Sequence, residues 1–429
     1  MKNTTIISAL PVGEFDTDLI RSEFDAIIGA FNRFGADLVI ADPVSDEVGA
    51  RKFVQEFSKM NPDLLLIVPL RGLSAQAIET AARMCHAPCL IWPVRGRFAL
   101  PSSTLAMGSL QESGAPVELH YAPPDNPRSI ERIPCFMRVA KVYSRLRQSR
   151  IGVIGGLFPN LVSCRYDPQI VGTKLGTKIL PISFDEIRNS IQFISQRIPE
   201  IEQSRQEITS SYMLSGADLN ALDSGIKLHL ALKQVAQENK IDGFAVECWT
   251  GFPKELGLNP CMGFIDDAYT LACEGDVMSC VSLLIARYLT GTAAYVGDLY
   301  DLDLDGILTL THCGAPASLA SNQEEVVLAK SQYALERGFE TMTCRPPLNT
   351  GFVTLFRFYG WGCDKMHLAF GELLNSEQSP NLTVKIRLAG DRENFLGQCY
   401  GNHYVAMAGD FRKELKLLGK WLGITILDT

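Results

Sequence analysis

The chain has 429 residues, 46% of them hydrophobic and 21% charged, with a formal net charge of −8 and a pI near 5.4. That composition excludes a disordered or fibrous chain and leaves room for about three domains of ordinary size. The acidic balance argues against sequence-independent binding to nucleic-acid phosphates or anionic membrane surfaces, because both need a basic face, so neither is expected as a partner.

The opening "MKNTTIISALPVGEF" carries one Lys and an apolar run too short for a signal segment, with no small-residue cleavage site. No stretch reaches the ~18 consecutive apolar residues of a membrane helix. The expectation is a cytoplasmic protein. Twelve cysteines without a CxxC pair read as reduced, buried thiols rather than a disulfide framework. "CHAPC" (Cys85 to Cys89) holds zinc-type ligands, but its setting, "AARMCHAPCLIWP", reads as a helix end feeding a strand.

In chain order, "TIISAL", "DLVIADP", "DLLLIVPL" and "PCLIWP" read as strands, alternating with helical "DLIRSEFDAIIGAFNRFG", "SDEVGARKFVQEFSKM" and "SAQAIETAARM". This is the βαβ rhythm of a parallel sheet covered by helices. Ligands of such sheets gather at the carboxyl ends of the strands, which makes "PLRGLS" and "WPVRGRF", with Arg71, Trp92, Arg95 and Arg97, candidate binding loops. The proline-rich "APVELHYAPPDNPRSIERIP" interrupts the rhythm, and after helical "CFMRVAKVYSRLRQ" a second α/β unit opens at "RIGVIGG". Its "GVIGG" is not GxGxxG and reads as a tight strand-to-helix turn rather than a phosphate cradle. "TKILPIS", "SFDEIRNSIQFISQ", a long helix within "GADLNALDSGIKLHLALKQVAQENK" and "DGFAVEC" continue it. Beyond about residue 290, "GILTLTH", "TGFVTLFRFYG", "LTVKIRLAG" and "FLGQCYGNHYVAMAG" have the period-two, β-branched and aromatic texture of an antiparallel sheet or small barrel. A helix and a strand close the chain. The expected architecture is therefore two doubly wound α/β domains, residues 1–147 and 148–290, followed by a β-rich domain, 291–429.

Where chemistry could lie is narrower. "YVGDLYDLDLDG" places Asp301, Asp303, Asp305 and Gly306 at the first positions of a calcium loop, but the position that needs a bidentate Glu is His312. Those aspartates read as a solvated turn. Glu274, in "LACEGDV", sits at the entrance of a helix whose apolar residues run from Val277 to Tyr288 and whose C-terminal stop is Gly291. Alone it would be an acid favoured by the helix dipole. Asp298 follows that helix, at a strand end beside glycine, so that the helix can return the chain and let both carboxylates face one pocket. His403, in "GQCYGNHYVAMAGD", is an imidazole in a small-residue, apolar strand. Two carboxylates and one imidazole suit an Mn²⁺-type centre, Glu274, Asp298 and His403 being the ligands, with positions open for substrate oxygens. Cys248 beside Trp249 has no assigned base and reads as a buried thiol.

"ACEGDV", then "LTGTAAYVGD", then "GNHYVAMAGD" resembles the L-fucose isomerase family. The resemblance implies that Glu274 and Asp298 are an acid/base pair that also holds Mn²⁺ (or Mg²⁺ or Co²⁺), with His403 as third ligand and Asn402 beside it. "ECWTGFP" around Trp249 resembles that family's substrate-side segment, and "THCGAP" is similar to a segment of the related L-arabinose isomerases that contributes a metal-site histidine, here His312. The activity implied by the likeness is that of an aldose–ketose isomerase working through a cis-enediol on a small-molecule sugar. Its expected form is a homo-oligomer in which a neighbouring subunit completes the site, here through Trp92, Arg95 and Arg97. The chain is shorter than the fucose isomerases, and the expected sugar is either of fucose or arabinose type or, if an arginine-lined entrance selects a charged substituent, an anionic hexose such as sulfoquinovose. The alternative is a non-catalytic sugar-binding or regulatory protein built of two α/β domains around a cleft, which needs no metal.

Overall fold

The computed structural model describes residues 4–216, 218–339 and 341–429. The chain groups into two units, one running up to Arg145 and including Lys413–Ile424, the other formed by Leu146–Arg412 with Thr425–Thr429. The terminal helix Arg412–Trp421 thus falls almost wholly in the first unit.

In the first unit, β1 (Ile6–Val12), β2 (Asp37–Ile40), β3 (Leu64–Pro69), β4 (Cys89–Ile91) and β5 (Val117–Leu119) form a parallel sheet in the order β2-β1-β3-β4-β5. β3 is buried along its whole length because helices cover such sheets on both faces, which is why "LLLIVP" shows no alternation. Its core joins Leu10, Ile67 and Ile91 to Phe53, Ile78 and Leu110 of the covering helices. β5 and the start of the helix Pro127–Leu146 occupy the proline-rich stretch read as an interruption. Val117 and Leu119 pair with Cys89 and Ile91, so sheet pairing overrides the local proline signal.

The second unit begins with β6 (Arg150–Ile154), β7 (Lys178–Ile182), β8 (Met213–Ser215), β9 (Gly243–Val246) and β10 (Thr270–Ala272). All but β8 make a second parallel sheet, β10-β9-β6-β7. After β6, Gly155 and Gly156 both have positive φ and lead into an irregular loop that reaches the helix Pro168–Leu175 only at Pro168, not into the tight turn expected of "GVIGG". Then come β11 (Tyr295–Leu302), β12 (Ile307–His312), β13 (Val327–Lys330), β14 (Met342–Arg345), β15 (Gly351–Tyr359), β16 (Lys365–Glu377), β17 (Leu382–Leu388), β18 (His403–Ala408) and β19 (Thr425–Asp428). β13, β14 and β8 form a small sheet.

The β-rich part is a closed barrel. The antiparallel order β15-β18-β11-β12-β17-β16 returns on itself through nine β15–β16 residue pairs, and β19 adds in parallel outside β16. Closure leaves no open sheet edge along this ring. β17 alternates buried and less buried residues from Leu382 to Leu388, as its sequence suggests, and Leu308, Leu310, Leu355, Val384, Ile386 and Tyr404 belong to the core. "FLGQCYGNHYVAMAG" is only half strand: Arg392–Gln398 is a helix capped by Asp391, and β18 starts at His403. Among the described residues no helix is long and apolar enough to cross a membrane, and all twelve cysteines are free.

Candidate metal centre

Glu274 is not the helix-entrance residue. Asp276 caps the helix Val277–Thr290, accepting from the backbone nitrogens of Met278 and Ser279 at 3.1 and 3.0 Å. Glu274 lies in the preceding turn at φ 60°, a left-handed conformation that costs a non-glycine residue ~1–3 kcal/mol and persists only when neighbours enforce it. They do: Phe158 N donates to Glu274 O at 2.9 Å, and Gly275 N donates to Val246 O at 2.8 Å. A Cβ on Gly275 would stand 1.8 Å from Gly156 O, so only glycine lets the loop after β6 lie against this turn. The fastened turn leaves the Glu274 carboxylate largely buried beside a cavity.

Asp298 is not at a strand end either. It is the fourth residue of β11, opposite Thr311 on β12 and His403 on β18. The barrel register thus fixes Asp298 next to His403, and His312 ends the neighbouring β12. His403 is 2% exposed. Its Nδ1–H donates to Asp276 Oδ2 at 2.9 Å, while Nε2 has no hydrogen-bond partner and lies 3.5 Å from Asp298 Oδ1 and 3.9 Å from Glu274 Oε2. Asn402 Nδ2 donates to Asp298 Oδ1 at 2.5 Å. Asp298, His312 and His403 each offer a ligand atom within 4.8 Å of the other two.

Sequence reasoning missed the support for this imidazole. Asp276, wholly buried, also accepts from Ser279 Oγ at 2.7 Å and pairs with Arg357 Nη2 at 3.0 Å. Arg357, itself 1% exposed on β15, donates to His403 O at 2.8 Å. Burial alone would raise the Asp276 carboxyl, but Arg357 and His403 hold it well below the usual carboxylate range. A carboxylate on Nδ1 fixes the tautomer and turns a lone pair of Nε2 outward, the usual support of a metal-bound histidine. Glu274, by contrast, is pushed up, by burial first and also by Asp298, against the opposing pull of His403.

An unpartnered buried nitrogen between two carboxylates fits a divalent cation of the Mn²⁺ type, with hard oxygens and one imidazole as donors. The cavity beyond holds about 590 Å³ including its solvent-open mouth. Trp249 lines it, with Phe158 and Tyr333 at 5.7 and 5.9 Å between ring centroids. Arg337, not expected from the sequence, also lines it: its guanidinium lies 3.1 Å over the Trp249 ring, Nη1 donates to Trp249 O at 2.6 Å, and Nη2 has no partner. Nothing in "YALERGFE" marks Arg337, since an arginine in a polar turn ordinarily faces solvent.

Trp92 and Arg95 belong to the first unit. There Trp92 is 1% exposed, its Nε1 donating to Ala122 O at 3.1 Å, while exposed Arg95 pairs with Glu23 at 2.9 Å, Arg97 with Asp16 and Arg71 with Glu14 at 3.9 Å. The aspartate run closes the turn after β11: Asp303 Oδ1 accepts from the nitrogens of Asp305 and Ile307 at 3.0 and 2.8 Å. His312, the last position of that false calcium loop, is buried at the end of β12.

No protein-family model matches the chain. Among curated proteins it is similar to the sulfoquinovose isomerases of Priestia aryabhattai and Priestia megaterium, 25% identical over 371 residues that cover 79% of each chain. It is also 23% identical over 272 residues, 60% of each chain, to the sulfoquinovose isomerase of a Clostridium species.

Proposed function

We propose that this chain is an aldose–ketose isomerase that acts on a sugar bearing an anionic substituent, sulfoquinovose foremost, with Glu274, Asp298 and His403 holding Mn²⁺ or a similar divalent cation. The observation that carries the reading is His403: one nitrogen bonded to buried Asp276, the other unpartnered and facing Glu274 and Asp298. The relatives named for sulfoquinovose isomerisation support the reaction and the substrate. Arg337 supports the anionic substituent, as a cation in the wall of the same cavity with a nitrogen left unsatisfied.

When bound, the metal would polarise the carbonyl and hydroxyl oxygens on the two carbons being interconverted. The protein's own work is proton transfer. Glu274, its carboxyl pushed up by burial and so a stronger base, takes the proton from C2 of the open-chain aldose and returns it to C1. Asp298, oriented by Asn402, moves the second proton from the C2 hydroxyl to the carbonyl oxygen, so that the aldehyde becomes an alcohol and C2 the ketone. Trp249 offers an apolar face to the sugar, and Arg337 pairs with the anionic group. A second copy of the chain, offering the exposed loop around Arg95, completes the site. Asp276 and Arg357 are positioning residues, acting through His403.

The test is to give the manganese-loaded protein sulfoquinovose and, separately, glucose, which lacks the sulfonate. Ketose should form from sulfoquinovose, with kcat/KM far above that for glucose, and Arg337→Met should reduce the preference by raising KM for the sulfonated sugar. Equal turnover of both sugars would refute the anionic assignment. Binding of both without any ketose would point to the non-catalytic sugar binder instead.

A further inference from the structure

The same cavity has a second wall of different chemistry. Cys248, Cys261, Cys273 and Cys313 all line it, arriving from the ends of β9, β10 and β12 and from the short helical turn Pro260–Phe264. Far apart in sequence and without a CxxC pair, they converge in space. Cys313 is in side-chain contact with both Cys261 and Cys273, and Cys273 with Cys248. Cys313 Sγ lies 3.5 Å from His312 Nδ1, and Cys273, His312 and Cys313 each offer a ligand atom within 4.8 Å of the others. The Mn²⁺-type reaction uses none of these sulfurs, and hard cations prefer oxygen, so the two donor sets select different ions.

We infer that this wall is a second metal site, specific for soft or borderline divalent cations such as Zn²⁺ or Cd²⁺, with Cys273, Cys313 and His312 as ligands. Two thiolates and an imidazole are a known zinc donor set that leaves the fourth position open. Cys273 and His312 are buried while Cys313 is only partly so, and the cavity gives an ion access to them. An ion held there is bound by the residue next to Glu274 and by His312, which also stands beside Asp298 and His403, so occupancy distorts the oxygen-rich centre and inhibits turnover. The sulfur site stands whatever the identity of the sugar and whether or not the chain is an isomerase.

Cobalt distinguishes the two donor sets, because thiolate ligands give an intense near-ultraviolet charge-transfer absorption that oxygen and nitrogen ligands lack. The reduced full-length protein is titrated with Co²⁺ alone. The charge-transfer band should appear and saturate, persist in Glu274→Gln, and vanish in the Cys273→Ser, Cys313→Ser double variant. Cys313→Ser alone, at the least buried of the four positions, should weaken it if the double variant does not fold. Cobalt bound to the wild-type protein with no such band, or a band undiminished in the folded cysteine variants, would overturn the assignment.

Discussion

Of the three buried imidazoles on strands of the barrel, His367 and His403 differ in what surrounds them. His367, on β16, has both nitrogens satisfied by neutral partners: Nδ1 meets Tyr404 OH at 2.6 Å and Nε2 meets Thr429 Oγ1 at 3.0 Å. His403, on β18, gives one nitrogen to a carboxylate and leaves the other without a partner among two more carboxylates. Burial is nearly equal, 0% and 2%. A satisfied buried polar group holds structure together; an unsatisfied one between carboxylates fits a metal ion.

The sharpest way to break that contrast is at the carboxylates. Glu274→Gln should lower kcat by roughly 10³-fold, within the range for removing a general acid or base, with an unchanged melting temperature in the metal-free protein. His367→Phe should leave kcat within a small factor. Next comes Asp276→Asn, which leaves the buried Arg357 charge without its partner. Chemical denaturation should show a loss of about 3–5 kcal/mol, and calorimetric Mn²⁺ titration a metal affinity weaker by roughly 10–100-fold. A stable variant with normal affinity would mean that Asp276 merely caps its helix.

Metal linkage gives a smaller effect. At a free Mn²⁺ concentration of about 100 Kd, the ion should stabilise the wild-type protein by ~2.7 kcal/mol, and His367→Phe equally. His403→Gln should lose that gain, as should wild-type protein treated with a chelator, both read from thermal melts.

The pH dependence separates the imidazoles last. Burial lowers the His367 pKa to about 4, so folding favours its neutral form. That stability is present above the unfolded value near 6.5 and is lost as pH falls from about 6.5 towards 4, on the order of 3 kcal/mol. His367→Phe should flatten this part of the stability profile. Asp276 acts further down: its depressed pKa adds stability above the unfolded carboxylate value of about 3.9, lost only below it.

Much of the fold and of the candidate centre was legible in the sequence, though nothing there showed how the surroundings of His367 and His403 differ. Patterns such as "LLLIVP" and "LTVKIRL" carry period and burial within a few residues, and from them came the two parallel sheets and the β-rich end. "ACEGDV", "YVGD" and "GNHY" carried the candidate centre. The supports did not show, because they are long-range. Arg357 in "TLFRFYG" looks like any outward charge on a strand, and its partner Asp276 is 81 residues earlier. Likewise Asp276 was hidden one glycine beyond the more conspicuous Glu274, Arg337 in a polar turn, and the four thiols in segments that meet only once the sheets and barrel have formed.

The most direct measurement tracks the C2 proton. Manganese-loaded protein is incubated with sulfoquinovose in D₂O and the C1 and C2 positions are monitored by proton NMR, beside Glu274→Gln loaded with the same metal. With the wild-type protein deuterium should enter at C1 of the ketose as it forms and at C2 of the recovered aldose, and neither should occur with the variant. Exchange at the wild-type rate in Glu274→Gln would contradict the assignment of Glu274 as the group that moves that proton.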